Sequence, residues 1–370
     1  MRWRLWLVIA GVWLCAGCAG PAAKFPALAA DDIAAEKRIQ EIAQLRDYYG
    51  QLHRLDTVAF RIARANRTDC KEWVSAQIGL YAATPQSLPH KFQSFSAEAL
   101  GLRWVRPTVI SVVEGSPAAE AGFKNGDEII SFNGEPAPVT GTMGWMGGFL
   151  RFNGERPVTV ALLRDDRHET LYVNPLKACA IPVNLEIDAT ANAETDFKKI
   201  VIQSGILRLA KTDAQLAVVV GHELAHVNMG HYQKRTLNSL IGAAGGAMID
   251  GGFLLGGVAT GGAFSNYLER AGLKAFSVGF EREADYVGAY YAARAGYDIA
   301  GAEEIWRAMS FENPTGIRKA TTHPTSPVRF LQMRKVAEEI ADKKRRNLPL
   351  DPELKLAIEP EPSTDTAHNF

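Results

Sequence analysis

The spacing of apolar positions changes twice along the chain. Residues 31–66 place apolar side chains three and four residues apart, which predicts an amphipathic helix. Gly50 lies in the middle of this stretch and permits either one long helix or two shorter ones. Residues 82–92 contain two prolines and indicate a linker.

Beyond the linker the apolar positions alternate with polar ones, as they do in β-strands. The runs TVISVV, DEIISFNG, RPVTVALLRD and ETLYVNP alternate in this way within residues 94–176, and turn residues separate them. From residue 180 to about 345 the helical period returns. The sequence therefore predicts an α+β fold, mostly helical with a small β-sheet, into which a β-rich domain is inserted.

Residues 240–266 are almost entirely apolar, with nine glycines and Asp250 as the single charge. Two interpretations are open for this segment. One is a transmembrane hairpin, with contact to a membrane. The glycines and the central aspartate favour instead a flexible helical hairpin over a cleft, able to gate entry.

The first twenty residues predict a secretory signal. Two arginines precede an apolar stretch over residues 5–14, which is short of the roughly 20 apolar residues that span a bilayer. The ending LCAGC resembles the lipobox of bacterial lipoproteins, with Cys15 where leucine is usual. The resemblance implies a lipid on Cys18 and, because Ala19 follows, the periplasmic side of the outer membrane; plain cleavage or an uncleaved anchor is the alternative.

Charge and composition narrow the class of function. The chain has 41 basic and 41 acidic residues and thus no net charge, which argues against a nucleic-acid partner because such proteins need a basic surface.

The apolar run VVVGHELAHVNMGH carries three titratable side chains in five positions. His222 and His226 lie four residues apart, so on a helix both imidazoles leave the same face and can reach one zinc ion. Glu223 lies roughly 100° further round the helix, where its carboxylate can accept a proton from metal-held water. Such matches also occur by chance, but an unpaired charge in so apolar a helix is costly. The context therefore favours a metal site.

A catalytic zinc site needs a third protein ligand. Met229 and Tyr232 occupy the positions that the metzincin pattern requires to be glycine and histidine, and His231 is expected to be a helix-end histidine outside the site. Downstream, the stretch FEREADYVGAYYAARAGYD places Glu281 and Asp285 four residues apart on one helix face. Glu281 can then bind the metal, and Asp285 can accept a hydrogen bond from a ligating histidine.

HELAH followed by EREAD resembles the M48 family of zinc metallopeptidases. The stretch IVIQSGILRLAKTDAQLAVVVGHELAH and the element THPTSPVRF support the resemblance, whereas ANAETD departs from the Asn-Ala-Phe of many members. The resemblance implies one Zn²⁺ per chain. Its implied roles are zinc ligation for His222, His226 and Glu281, general base for Glu223, catalytic histidine near the metal for His323, and support behind the ligands for Asp285 and Arg329.

Residues 113–134, VEGSPAAEAGFKNGDEIISFNG, resemble the PDZ domains of bacterial envelope proteases. The resemblance implies that Leu100, Gly101 and Leu102 form the edge that binds an extended peptide or a C-terminus. A domain that only packs, with its groove empty, is the alternative.

Cys70 and Cys179 flank this unit. They could form a disulfide at the base of the insertion, or remain buried thiols.

The predicted function is zinc-dependent endopeptidase action on misfolded or misassembled envelope proteins, with recognition assisted by the PDZ domain and a lipid that holds the chain to the membrane. A latent protease that acts mainly as a PDZ-bearing chaperone is the alternative. The predicted units are a signal peptide (1–17), N-terminal helices on the protease domain (18–90), a PDZ domain (94–176), the peptidase domain (177–345) and a disordered tail (346–370).

Overall fold

The computed structural model describes residues 23–71, 73–196, 198–274, 277–312 and 327–354. The predicted lipidation site Cys18, His323 and the last sixteen residues, 355–370, lie outside the described residues.

The order of a helical, a β-rich and a second helical region follows the sequence pattern, but residues 82–92, expected to be a linker, contain the end of a strand and the start of a helix. The helices are α1 (Ala30–Ala65), α2 (His90–Gln93), α3 (Ser96–Leu100), α4 (Pro117–Glu120), α5 (Thr142–Asn153), α6 (Ser204–Leu209), α7 (Asp213–Asn228), α8 (His231–Leu255), α9 (Ala263–Lys274), α10 (Ser277–Arg294), α11 (Glu304–Glu312) and α12 (Pro327–Arg345). The strands are β1 (Val74–Gln77), β2 (Leu80–Ala83), β3 (Thr108–Val112), β4 (Glu128–Phe132), β5 (Glu135–Pro136), β6 (Val158–Arg164), β7 (Arg167–Val173), β8 (Leu176–Cys179), β9 (Val183–Glu186), β10 (Ala193–Thr195) and β11 (Ile200–Gln203).

Helix α1 is continuous, so Gly50 does not divide it. Its C-terminal half carries Leu55, Val58 and Ile62 into the core of the helical domain. Its N-terminal half buries Leu45 in a separate cluster with residues that follow β2. Because both halves are buried against different partners, α1 joins the helical region to the β-rich one.

The β-rich region is an antiparallel sheet in the order β2-β3-β4-β6-β7, with β5 paired to β4. Alternate residues of β6 (Val158, Val160 and Leu162) are fully buried, as expected for a strand with one face on a core. Helix α5 covers this core with Met146 and Leu150. The sheet starts at Leu80, so the β-rich unit begins earlier in the chain than the predicted residue 94.

The predicted peptide-binding edge at Leu100, Gly101 and Leu102 is wrong. Leu100 is the last residue of α3, and Gly101 ends that helix in the left-handed conformation, with φ at 69°. Leu102 is buried against the Leu45 cluster of α1. A helix end packed in a core has no free strand edge, and the edge strands of this sheet are β2 and β7.

A short ladder closes the base of the β-rich unit. Strands β1 and β8 pair antiparallel, with Val74 opposite Cys179. Cys70 and Cys179 form a disulfide with a Cα–Cα distance of 5.6 Å. Both cysteines belong to the core of the helical domain. The disulfide therefore joins the segment that enters the β-rich unit to the segment that leaves it, and holds both against the helical domain.

The helical region contains a three-stranded sheet in the order β10-β11-β9 and a tight pair of helices, α7 and α10. The two helices touch at Gly221 and Gly288: a Cβ added to Gly221 would lie 2.5 Å from the Gly288 carbonyl oxygen. Only glycine permits this approach, which brings the acidic side chains of α10 up to the histidines of α7.

Helices α8 and α9 form an antiparallel hairpin whose close packing again uses glycine, at Gly242, Gly246 and Gly272. Near the turn of the hairpin, the Asp250 carboxylate accepts hydrogen bonds from the hydroxyl groups of Thr260 and Ser265. Many apolar side chains of the hairpin are exposed, with Leu255 at 93%. Within the described part of the chain, no helix has the length and apolar character needed to cross a membrane.

Candidate metal centre

Helix α7 is buried over ten consecutive residues from Leu216 to Ala225. The Thr212 side chain caps its start by accepting a hydrogen bond from the Gln215 backbone N–H. Two imidazoles and a carboxylate therefore project from a helix that solvent reaches on almost no side. Polar groups so placed require partners.

Those partners come from α10. His222 Nε2 and His226 Nε2 lie 3.0 Å apart. Glu281 approaches both, with carboxylate oxygens 3.5 Å from His222 Nε2 and 3.4 Å from His226 Nε2. One ligand atom from each of the three residues lies within 4.8 Å of the others. The structure thus brings together the three residues predicted to hold the metal.

Asp285 and Arg329 lie directly behind this cluster. His222 Nδ1 is 2.9 Å from Asp285 Oδ1. Arg329 donates two hydrogen bonds of 2.7 Å to the Asp285 carboxylate, and its Nη1 lies 3.4 Å from Glu281 Oε2. The predicted support is therefore present, and it reaches both a histidine and the carboxylate ligand.

Electrostatics within the cluster follow from burial and these pairs. Burial disfavours a charge on His222, but Asp285 and Glu281 outweigh it and raise the pKa of His222 from 6.5 to about 9. Burial opposes ionisation of Asp285 as well, yet the Arg329 guanidinium and His222 hold the pKa of that carboxyl below its usual range. The site therefore presents an ionised carboxylate behind a strongly basic imidazole.

Two residues that the sequence analysis left outside the site support the second histidine. His231 Nδ1 lies 2.9 Å from His226 Nδ1, and His231 Nε2 lies 2.7 Å from Glu283. If His226 carries its proton on Nδ1, this N–H donates a hydrogen bond to His231 Nδ1, and His231 Nε2–H donates to Glu283. His226 Nε2, which faces His222 and Glu281, then presents a lone pair that can bind a cation. The signal in the sequence was the i, i+5 position of His231 just after a glycine turn.

Glu223, the residue after His222, lies next to the ligand cluster. It is buried at 1% exposure and lines a small cavity together with His222, Ala193, Trp306 and Met309. Ala193 belongs to β10, one of the two edge strands of the three-stranded sheet. Trp306 packs edge-on against His222 and beneath the Arg329 guanidinium.

The donor set fits a divalent cation. Two neutral imidazole nitrogens and one carboxylate oxygen are the ligands of many catalytic zinc sites, and Glu223 lines a cavity with one of the two histidines. Structural zinc sites are usually rich in cysteine, whereas the two cysteines that the structure describes are joined to each other. The helix and its donors thus define a metallopeptidase centre of the H-E-x-x-H class.

Comparison with known families agrees with this geometry. Residues 180–337 match peptidase family M48, and residues 86–174 match the PDZ domain. The chain thus contains one segment that matches the M48 peptidases and another that matches the PDZ domain, which is consistent with an M48 metallopeptidase that carries a PDZ domain. No curated protein matches the chain.

Solved structures similar to part of the chain include an HtrA-type protease and a PDZ domain. The HtrA-type protease AlgW with a decapeptide is 20% identical with a TM-score of 0.23, and the match covers 28% of this chain and 29% of that one. The HtrA3 PDZ domain bound to a phage-derived ligand is 18% identical with a TM-score of 0.21, over 28% of this chain and 88% of that one. The chain spans less than a third of the length of AlgW.

Proposed function

We propose that the chain is a zinc-dependent endopeptidase that cleaves unfolded or misassembled proteins of the bacterial cell envelope. The observation that carries the proposal is the convergence of His222, His226 and Glu281 within 4.8 Å, with Glu223 lining a cavity that His222 also lines. Two histidines and one carboxylate leave room for water and substrate, as hydrolysis requires.

Each residue of the site would have a distinct role in hydrolysis. His222, His226 and Glu281 would hold the ion, which, when bound, acidifies a water molecule and polarises a carbonyl. Glu223 would take the proton of the attacking water and pass it to the leaving amine. The free edge of β10, which carries Ala193 into the cavity, can hold an extended substrate by backbone hydrogen bonds. His323, outside the described residues, is proposed to act near the metal, either by filling the open position or by stabilising the transition state.

The PDZ domain is proposed to bind extended peptides or C-termini along β2. Its edge is free, and Gly79, immediately before it, adopts φ of 68°. A Cβ at Gly79 would collide with the Ser116 side chain, so glycine is required there. Backbone N–H groups at such a turn are suited to a carboxylate.

The location is proposed from the N-terminal sequence. A lipid on Cys18 would hold the chain at the periplasmic side of the outer membrane. The Cys70–Cys179 disulfide supports an oxidising compartment. Metabolic labelling with a fatty-acid analogue tests the anchor, because Cys18→Ser should abolish the label.

Cleavage of an unfolded protein tests the activity. The purified chain should cut casein into internal fragments, a chelator should stop it, and added zinc should restore it. If the zinc-loaded chain leaves casein intact but slows its aggregation, the alternative, a latent protease with chaperone action, replaces the proposal.

A further inference from the structure

A groove of about 780 Å³ lies between helices α1 and α5, beside the start of β2. Its walls come from helix α1, from β1 and the start of β2 (residues 75–81), from helix α5 through Met143, Met146 and Leu150, and from residues 179–185 between β8 and β9. Helix α1 precedes the part of the chain that matches the PDZ domain. We call this cavity the α1–α5 groove.

The edge of β2 is available to an added strand. The Ala82 N–H donates to the thioether sulfur of Met143 across the groove, at 3.4 Å. Sulfur is a weak acceptor, and Met143 is 37% exposed. A peptide carbonyl would be a stronger partner for the same N–H, and the flexible methionine can move aside.

Helix α1 closes the other side of the groove. It contributes side chains at helical spacing, among them Leu52, Asp56 and Phe60. Phe60 reaches the turn at Gly79, where its ring lies 3.3 Å from the position of an added Cβ. A peptide strand beside β2 alternates its side chains between two faces, so one set faces α5 and the other faces α1.

Asp56 is the one charged side chain that is buried among the residues lining the groove, at 3% exposure. Its Oδ2 has no hydrogen-bond partner within the described ranges. Burial raises the pKa of this carboxyl well above its usual range, although a hydrogen bond with Tyr81 acts in the opposite direction. Arg151, the other charged lining residue, is exposed, where solvent screens it.

We propose that the α1–α5 groove selects extended peptides with a lysine or arginine whose side chain points toward α1, and that Asp56 recognises it. This inference rests on the proposed peptide binding at β2. A cationic side chain supplies both the donor that Oδ2 lacks and the charge that stabilises the ionised carboxylate. A neutral donor supplies only the first.

Fluorescence anisotropy with a lysine scan tests the proposal. The probe is a labelled apolar hexapeptide with a free C-terminus, carrying lysine or glutamine at one position at a time. The full chain with Glu223→Gln serves as the receptor, so that the probe is not consumed. Lysine should bind about 10-fold or more tightly than glutamine at positions of one parity only, as a charge-assisted hydrogen bond implies.

Two variants in that background locate the effect. Asp56→Asn should reduce the lysine preference to about 3-fold or less. Asp47→Asn, an exposed acid on the same helix, should leave it intact. Acetyl-lysine at the preferred position should bind like glutamine, which tests the charge without altering the protein. A photo-reactive group there should label the tryptic fragment 55–61 of α1.

The outcomes separate this inference from the function on which it rests. If no peptide of the series binds, peptide recognition at β2 fails and the inference fails with it. If the peptides bind without a lysine preference, or the preference survives Asp56→Asn, only the inference is overturned. Cleavage of casein reports on the metal centre independently of either result.

Discussion

Arg329 and Asp285 form a buried, two-pronged ion pair with both hydrogen bonds at 2.7 Å, directly behind the His222 imidazole. Arg329 comes from α12 and Asp285 from α10, whereas His222 lies on α7. The pair therefore ties a third helix to the two that carry the metal ligands. Its loss should affect both the stability of the fold and the metal site.

Arg329→Ala should lower the free energy of unfolding by about 3–5 kcal/mol, because Asp285 would remain buried without its counter-ion. Urea unfolding of the metal-free chain measures the change. Arg334→Ala, on the same helix and exposed, should stay within about 0.5 kcal/mol of wild type. Equal stabilities for the two variants would show that the pair does not hold the helices together.

His231→Asn should weaken zinc binding by about 10- to 100-fold, because it removes the hydrogen-bond partner of the His226 ligand. Competition with a coloured chelator measures the affinity. His168→Asn, at an exposed position of β7, is the matched control. An unchanged affinity in the His231 variant would mean that His226 needs no support from this side.

Zinc affinity should rise with pH up to about 9, because the pKa of His222 in the metal-free chain lies near that value. Burial alone would lower this pKa, but the nearby carboxylates of Asp285 and Glu281 raise it by more. Calorimetry near pH 7.5, in buffers of different ionisation enthalpy, should detect about one proton released by His222 per ion bound.

The raised pKa of His222 also makes the stability of the metal-free fold depend on pH. Protonated His222 stabilises the metal-free fold below its ordinary pKa of 6.5, and this contribution disappears as the pH rises through about 9. Zinc binding without release of a proton from this site, or an affinity that falls with pH, would contradict the assignment of His222.

Reduction of the Cys70–Cys179 disulfide should lower the stability by up to about 4–5 kcal/mol, since it closes a loop of more than 100 residues. Thermal unfolding with and without a reductant measures the effect. The double variant Cys70→Ala, Cys179→Ala should show the lower melting temperature and no response to reductant. If that variant melts like the oxidised wild type, the disulfide does not constrain the base of the insertion.

The metal-ligand cluster could be predicted from the sequence because residue spacing within each helix determines which side chains lie on the same face. The four-residue spacing identified the shared faces on two helices. It did not predict how closely the two helices approach each other. Gly221 and Gly288 supply that distance, but their contact is a tertiary one. The supporting pair His231 and Glu283 was missed for the same reason, since 52 positions separate the two residues.

The predicted peptide-binding strand of the PDZ domain was misplaced because two segments of the chain have similar sequences. Both ALGLRW and QIGLYAA place a glycine among apolar residues, and the turn could belong to either. The structure assigns the strand to Leu80–Ala83 and the helix end to Leu100. Packing of Leu102 against α1 decides between them, and no spacing rule within the segment contains that contact.

In the proposed reaction, Glu223 transfers the proton in a metal-dependent hydrolysis. The most direct test compares the cleavage of casein by wild type and by Glu223→Gln, after both have been shown to hold one zinc ion per chain. Wild type should cleave, and the isosteric variant should lose at least about 100-fold in rate with its zinc retained. Equal cleavage by the two chains would contradict the account.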